Sequence, residues 1–300
     1  MLKTIAPKNW GFIILVSLLT LAFLYSYLFL HFYNPHLPLR FYVYRIIREG
    51  ARALALSTAG PEEGYLTLRS DPFVVRYQLE DREAASLVLE VAHEVYGLVA
   101  RDLGFKPTST VDIILHPDRE AMRNSFGWAQ GENALGAYHR GVIRILSPRA
   151  WIDEDKPELI AKVFRYTGPT VHELTHLVLD YATSGNYPYW FSEGLAQYEE
   201  YRLTGFVWVE PESNLKQPLY TLEELEEQFV RLPNQSLAYR QAFTLVCFLA
   251  ESYGDEALRQ LVARLGEGKP MPEALQLVTG IDYGDLELRW LEWLEEQGYR

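Results

Sequence analysis

Residues 170–180 read Thr-Val-His-Glu-Leu-Thr-His-Leu-Val-Leu-Asp, and the spacing of the two histidines constrains this chain more than any other feature. Positions i and i+4 share one face in a helix, so His172 and His176 on such a segment can reach a single metal ion. Val171, Leu174, Leu177 and Val178 predict the buried part of that helix, and Pro169 suits its first turn. Glu173 sits one residue along, near a metal-bound water and not aimed at the ion. Zinc lowers the pKa of such a water toward neutrality, and a carboxylate can take its proton as it attacks a carbonyl.

With seven histidines in 300 residues, a five-residue pattern needs a third ligand beside it. Glu193 follows His176 by seventeen positions, and the intervening Thr183 to Pro188 stretch is turn-forming. A helix, a reversal and a second helix bring Glu193 back toward the metal. Two histidines, one glutamate and an open position for water make a catalytic zinc arrangement. The expected cofactor is therefore Zn2+, with His172, His176 and Glu193 as ligands and Glu173 as catalytic base.

Glu193 lies within Tyr189-Trp190-Phe191-Ser192-Glu193-Gly194-Leu195-Ala196-Gln197-Tyr198. Together with the His-Glu-x-x-His segment, it resembles the gluzincin metallopeptidases, above all the bacterial peptidase MA-like domains and more distantly the aminopeptidase N-type enzymes. The specific likeness covers about residues 135–260. The resemblance implies the same ligands and base, and Tyr239 as donor to the developing oxyanion, because related enzymes carry a tyrosine from a helix downstream of the third ligand. His139 is the rival donor. Gln197 and Asp180, each one turn beyond a ligand, are candidates to hold a ligand imidazole in the correct tautomer. The Gly-x-Met-Glu-Asn segment with which the aminopeptidases hold a free N-terminus is missing. Gly136-Ala137-Tyr138-His139-Arg140-Gly141 stands there instead, which implies an endopeptidase pairing its peptide or protein substrate with this edge strand.

From Trp10 to Leu30 run twenty-one residues without a charge. That length suits a transmembrane helix, and the bulky residues from Leu24 to Tyr33 argue against signal cleavage. Residues 1–33 are thus expected to form a cytoplasmic tail and single-pass anchor in the cell membrane. Residues 34–60 then form a juxtamembrane linker and amphipathic helix, and residues 61–300 the metallopeptidase domain. The short basic N-terminus, with Lys3 and Lys8, favours an extracytoplasmic catalytic domain. After the stiff Asn34–Leu39 link, Phe41, Tyr44, Ile47, Ala51 and Leu54 recur at helical spacing beside a stripe of Arg45, Arg48 and Arg52. Such a helix either lies on anionic lipid or packs on the domain.

The remaining order is strands first, then helices. A hairpin is expected over Tyr65–Gln78, a helix over Asp81–Leu103, a strand over Thr110–Leu115, a short helix from Pro117, and another strand or hairpin over Gly136–Ser147. Helices follow from Pro157 onward. The fold class is accordingly α+β, an N-terminal transmembrane helix followed by a small mixed sheet lobe packed on a helical lobe that carries the zinc site. The net charge of −12 disfavours nucleic acid as a partner, and the basic first sixty residues leave the rest of the chain more acidic still. The single cysteine, Cys247, excludes an internal disulfide and reads as a buried small hydrophobe. His116 reads as structural, and the Glu223–Glu227 run as the solvated face of a helix. A second reading keeps the fold and a structural zinc in a non-catalytic, membrane-anchored interaction module. An intramembrane protease is excluded because the motif helix lacks an apolar run long enough to span.

Overall fold

The computed structural model describes residues 17, 20–25, 38–126 and 134–300. Most of the Trp10–Leu30 run and the Asn34–Leu39 link lie outside these residues. Among the described residues no helix is long and apolar enough to cross a membrane.

The first described long element is helix α1 (Leu39–Ser57). Strands β1 (Leu66–Ser70) and β2 (Phe73–Tyr77) form the expected antiparallel hairpin. Helix α2 (Arg82–Asp102) connects β2 to β3 (Val111–His116), which lies parallel to β2. Helix α3 (Arg119–Phe126) precedes a second hairpin, β4 (Gly136–His139) and β5 (Val142–Leu146). Its turn is formed by Arg140 and Gly141, both at positive φ, as a two-residue hairpin requires. The sheet order is β1-β2-β3-β5-β4, with β5 parallel to β3, so β4 is an edge strand.

Helix α2 lies between the sheet and the helices that follow. One face of its apolar stripe (Val88, Val91, Ala92, Tyr96, Val99) shares a core with Phe73, Val75, Ile113 and Ile143 of the sheet. The same core continues into Val171, Leu174 and Val178 of the histidine helix. Helices α4 (Pro157–Thr167), α5 (Thr170–Thr183) and α6 (Tyr189–Thr204) lead to α7 (Leu222–Gln228) and the long α8 (Gln235–Tyr253). Helices α9 (Asp255–Gly266), α10 (Met271–Thr279) and α11 (Tyr283–Glu296) close the helical lobe. A mixed α+β fold with a small sheet beside a larger helical body is thus what the sequence order predicts and what the chain adopts.

The polar stripe of α1 differs in its outcome from lipid contact. Arg45 donates to Ser184, Arg48 to Asp180, and Arg52 to both Thr110 and Asp112. The arginines therefore face the domain, and the side turned to solvent carries Leu39, Val43, Ile46, Ile47 and Leu54. Periodicity identifies two stripes but cannot say which one finds buried carboxylates to pair with.

The acidic run also departs from a purely solvated face. Glu224 closes a capping box with Thr221, while Glu226 accepts hydrogen bonds from Trp190 Nε1 and Tyr283, each at 2.9 Å. Cys247 is buried as expected, and burial pushes its thiol up to about 12, which makes it inert.

His116 ends β3 with only 3% of its surface exposed, and neither ring nitrogen has a hydrogen-bond partner among the described residues. Burial, reinforced by Arg144, lowers its pKa from 6.5 to about 4. The unfolded chain therefore binds a proton between these values that the folded chain refuses. Folding stability from this group is complete above pH 6.5 and falls as pH drops toward 4, by about 3 kcal/mol in total. Denaturant titrations at pH 7 and pH 4.5 should show wild type losing more stability than His116→Gln. Equal losses would refute the assignment.

Candidate metal centre

Helix α5 begins directly after Pro169, and Val171, Leu174, Leu177 and Val178 are all buried. It stops where Ser184 and Gly185 take positive φ. Gly185 is required twice over, by its φ of 75° and because a Cβ there would sit 2.5 Å from the Tyr44 ring. The chain then reverses through Asn186 to Pro188 and enters α6. The predicted helix, reversal and helix are all present.

This reversal brings His172, His176 and Glu193 together, with one donor atom from each inside a 4.8 Å span. Glu193 Oε2 lies 3.4 Å from His172 Nε2 and 3.5 Å from His176 Nε2. The imidazole rings stand edge to face, 4.7 Å apart at 77°. Both Nε2 atoms lie toward the carboxylate, and the opposite nitrogens lie toward other side chains of α6. His176 Nδ1 is 2.8 Å from Ser192 Oγ, and His172 Nδ1 is 3.6 Å from Glu200 Oε2. Two imidazole nitrogens and a carboxylate oxygen, backed by a hydroxyl and a second carboxylate, suit a zinc ion.

The electrostatics agree with a cation-binding cluster. Burial alone would raise the pKa of Glu193, but His176 and His172 outweigh it and hold the carboxylate ionised. Burial likewise opposes charge on His172, yet Glu193 and Glu200 push its pKa well above the usual range. Glu173 is only 5% exposed, and burial raises its pKa against the lowering effect of the two histidines. It is not one of the converging donors. It lies instead beneath β4, so close to Gly136 that a Cβ there would meet Glu173 Oε1 at 2.7 Å.

The other sequence candidates are placed differently. Gln197 donates to the carbonyls of Glu193 and Tyr239 at 3.2 and 3.1 Å, tying α6 to α8. Asp180 is fully buried and bonded to Tyr44, Arg48 and Tyr138. The imidazole-orienting positions belong to Ser192 and Glu200 instead, neither of which the sequence reading singled out. Glu200 lies seven residues after Glu193, hence on the same helix face, and that spacing was the available signal. Tyr239 packs edge-on against Phe229 at 5.3 Å, and Phe229 stacks on Tyr189, whose pKa is raised by burial and by the Glu193 charge. Tyr239 thus ends an aromatic row whose other end, Tyr189, feels the Glu193 charge. His139 is exposed at the end of β4.

A family model described as the peptidase MA superfamily matches residues 91–296. The chain belongs to the peptidase MA superfamily. The matched stretch contains β3 to β5 and every helix from α3 to α11, while α1, β1 and β2 precede it. Among solved structures, a mutant M1 zinc metallopeptidase from Deinococcus radiodurans is similar at 14% identity, over 73% of this chain and 48% of that one, with a TM-score of 0.41. A two-domain M1 zinc metallopeptidase mutant bound to L-arginine is similar at 14% identity, over 75% and 51%, with a TM-score of 0.42. This peptidase MA chain covers about half the length of those structures. No curated protein matches it.

Proposed function

We propose that this chain is a membrane-anchored zinc endopeptidase. The observation that carries the proposal is the convergence of His172, His176 and Glu193 beside a buried Glu173 under an edge strand. Zinc held by those three residues would supply a Lewis acid that acidifies water and polarises a carbonyl. Glu173 takes the proton of the attacking water and delivers it to the leaving amine. Tyr239 donates to the oxyanion from the end of the aromatic row that Phe229 and Tyr189 continue toward Glu193. The outer backbone edge of β4 pairs with an extended peptide. The lack of a Gly-x-Met-Glu-Asn segment supports internal cleavage over removal of terminal residues.

Residues 10–30 form the anchor in this proposal, supported by their uncharged, span-length composition. The outward apolar side of α1 begins a few residues further on and suits a position close to the bilayer. Lys3 and Lys8 ahead of the anchor favour a catalytic domain on the extracytoplasmic side.

The test uses the full chain purified in detergent. Metal analysis should find about one zinc per chain, and an unstructured protein such as casein should be cleaved internally. Chelation should abolish cleavage, and added zinc should restore it. A folded, zinc-loaded chain that cleaves nothing would support the non-catalytic interaction module instead.

A further inference from the structure

Asp180 has no exposed surface, although it is a carboxylate. A charge in such a place is tolerated only with partners that satisfy it. Its partners come from two distant parts of the chain. Tyr44 donates its hydroxyl to Oδ1, and Arg48 Nη1 lies 3.3 Å from Oδ2, both from α1. Tyr138 of β4 donates its hydroxyl to Oδ2 at 2.6 Å. Arg48 Cζ further lies over the Tyr181 ring, 3.7 Å from its centroid. The Tyr138 hydroxyl also accepts from the Gly141 backbone N–H at 2.8 Å, which ties the hairpin turn to the same cluster.

Among the described residues, strand β4 is the edge of the sheet and is hydrogen-bonded in it only to β5. Its position over the site must come from contacts on its faces. One contact is Gly136, which passes within van der Waals range of both Pro169 and Glu173. The second is the Tyr138 backbone N–H, which is directed at the Glu173 carboxylate. The third is the Tyr138 hydroxyl on Asp180, one turn beyond His176 on the same helix. Strand and metal helix are therefore joined at two levels, and Glu173 lies at one of them.

We infer that Asp180 is a positioning residue: through Tyr138 it fixes β4 against Glu173, and Tyr44 and Arg48 make α1 part of the working site. This inference rests on the peptidase reading above. It also extends the functional unit beyond the matched residues 91–296. A shift of the strand of about 1 Å would misplace the Glu173 carboxylate relative to the reacting carbonyl, at a cost of up to about 10²-fold in rate.

Three variants of the full chain in detergent test this: Tyr138→Phe, Tyr44→Phe and Asp180→Asn. Each removes a bond while keeping the shape of the side chain. The expected result is a loss of about tenfold or more in kcat for Tyr138→Phe, with zinc content unchanged and KM moved less. In the Glu173→Gln background the same change should cause little further loss, because its effect runs through Glu173. Hydrogen exchange in the metal-free protein gives a readout independent of catalysis. Amides of residues 136–146 should exchange faster in all three variants, while those of α8 should not. Should Asp180→Asn fail to fold, the two phenylalanine variants carry the test. Wild-type kcat in Tyr138→Phe, or a full additive loss on top of Glu173→Gln, would overturn the inference and leave the peptidase reading standing. An inactive wild-type chain with normal zinc content would overturn both.

Discussion

Glu173→Gln is expected to lower kcat/KM for peptide hydrolysis by about 10²- to 10⁴-fold while zinc remains bound. The glutamine has the same shape, so it fits the space under Gly136 that admits no larger group. It can still accept a hydrogen bond from the Tyr138 amide. What it lacks is a basic oxygen to take a proton. Metal binding should survive because Glu173 is outside the set of donors supplied by His172, His176 and Glu193. Parallel metal analysis and steady-state kinetics decide the matter. Activity retained in the variant would remove Glu173 from the mechanism, and loss of zinc would place it among the ligands.

The second large effect is expected at Gly194, immediately after Glu193, the third residue of the proposed metal set. A Cβ there would lie 2.2 Å from the Ala242 carbonyl oxygen and 2.7 Å from Val246 Cγ2. The obstacle is backbone, not the end of a flexible side chain. Helix α8 cannot retreat, because Leu237 through Ala250 are nearly all buried in the core. Gly194→Ala must then push α6 away from α8 and carry Glu193 with it. A destabilisation of about 3 kcal/mol is expected from this overpacking. Zinc affinity should fall as well, because Glu193 moves relative to His172 and His176. Denaturant unfolding and a competition titration with a zinc chelator measure the two effects. A variant with wild-type midpoint and affinity would show that the helices yield more easily than their packing implies.

How much of the site was legible in the sequence follows from how far apart its partners lie. His172 and His176 are one helical turn apart, so local geometry alone places them together. Glu193 needs only one reversal, and Ser184 and Gly185 provide it where turn-forming residues cluster. Ser192 and Glu200 do not stand out in the sequence, because many serines and glutamates on helices are solvated. Only the direction of each imidazole shows that these two are used. Asp180 illustrates the same limit in reverse. Its position one turn past His176 suggested a bond to a ligand, but its partners Tyr44 and Arg48 lie 136 and 132 residues away.

The sequence by itself determined the face that His172 and His176 share and the order of strands and helices. Each of these depends on spacing within one or two turns of chain, where covalent geometry leaves few choices. Tertiary structure alone decided which side of α1 meets the domain, which residues steady the histidines, and what lies over Glu173. Those outcomes depend on which buried charges find partners when distant segments meet. The His-Glu-Leu-Thr-His helix could be read from eleven residues, whereas its connection to β4 and α1 required the folded chain.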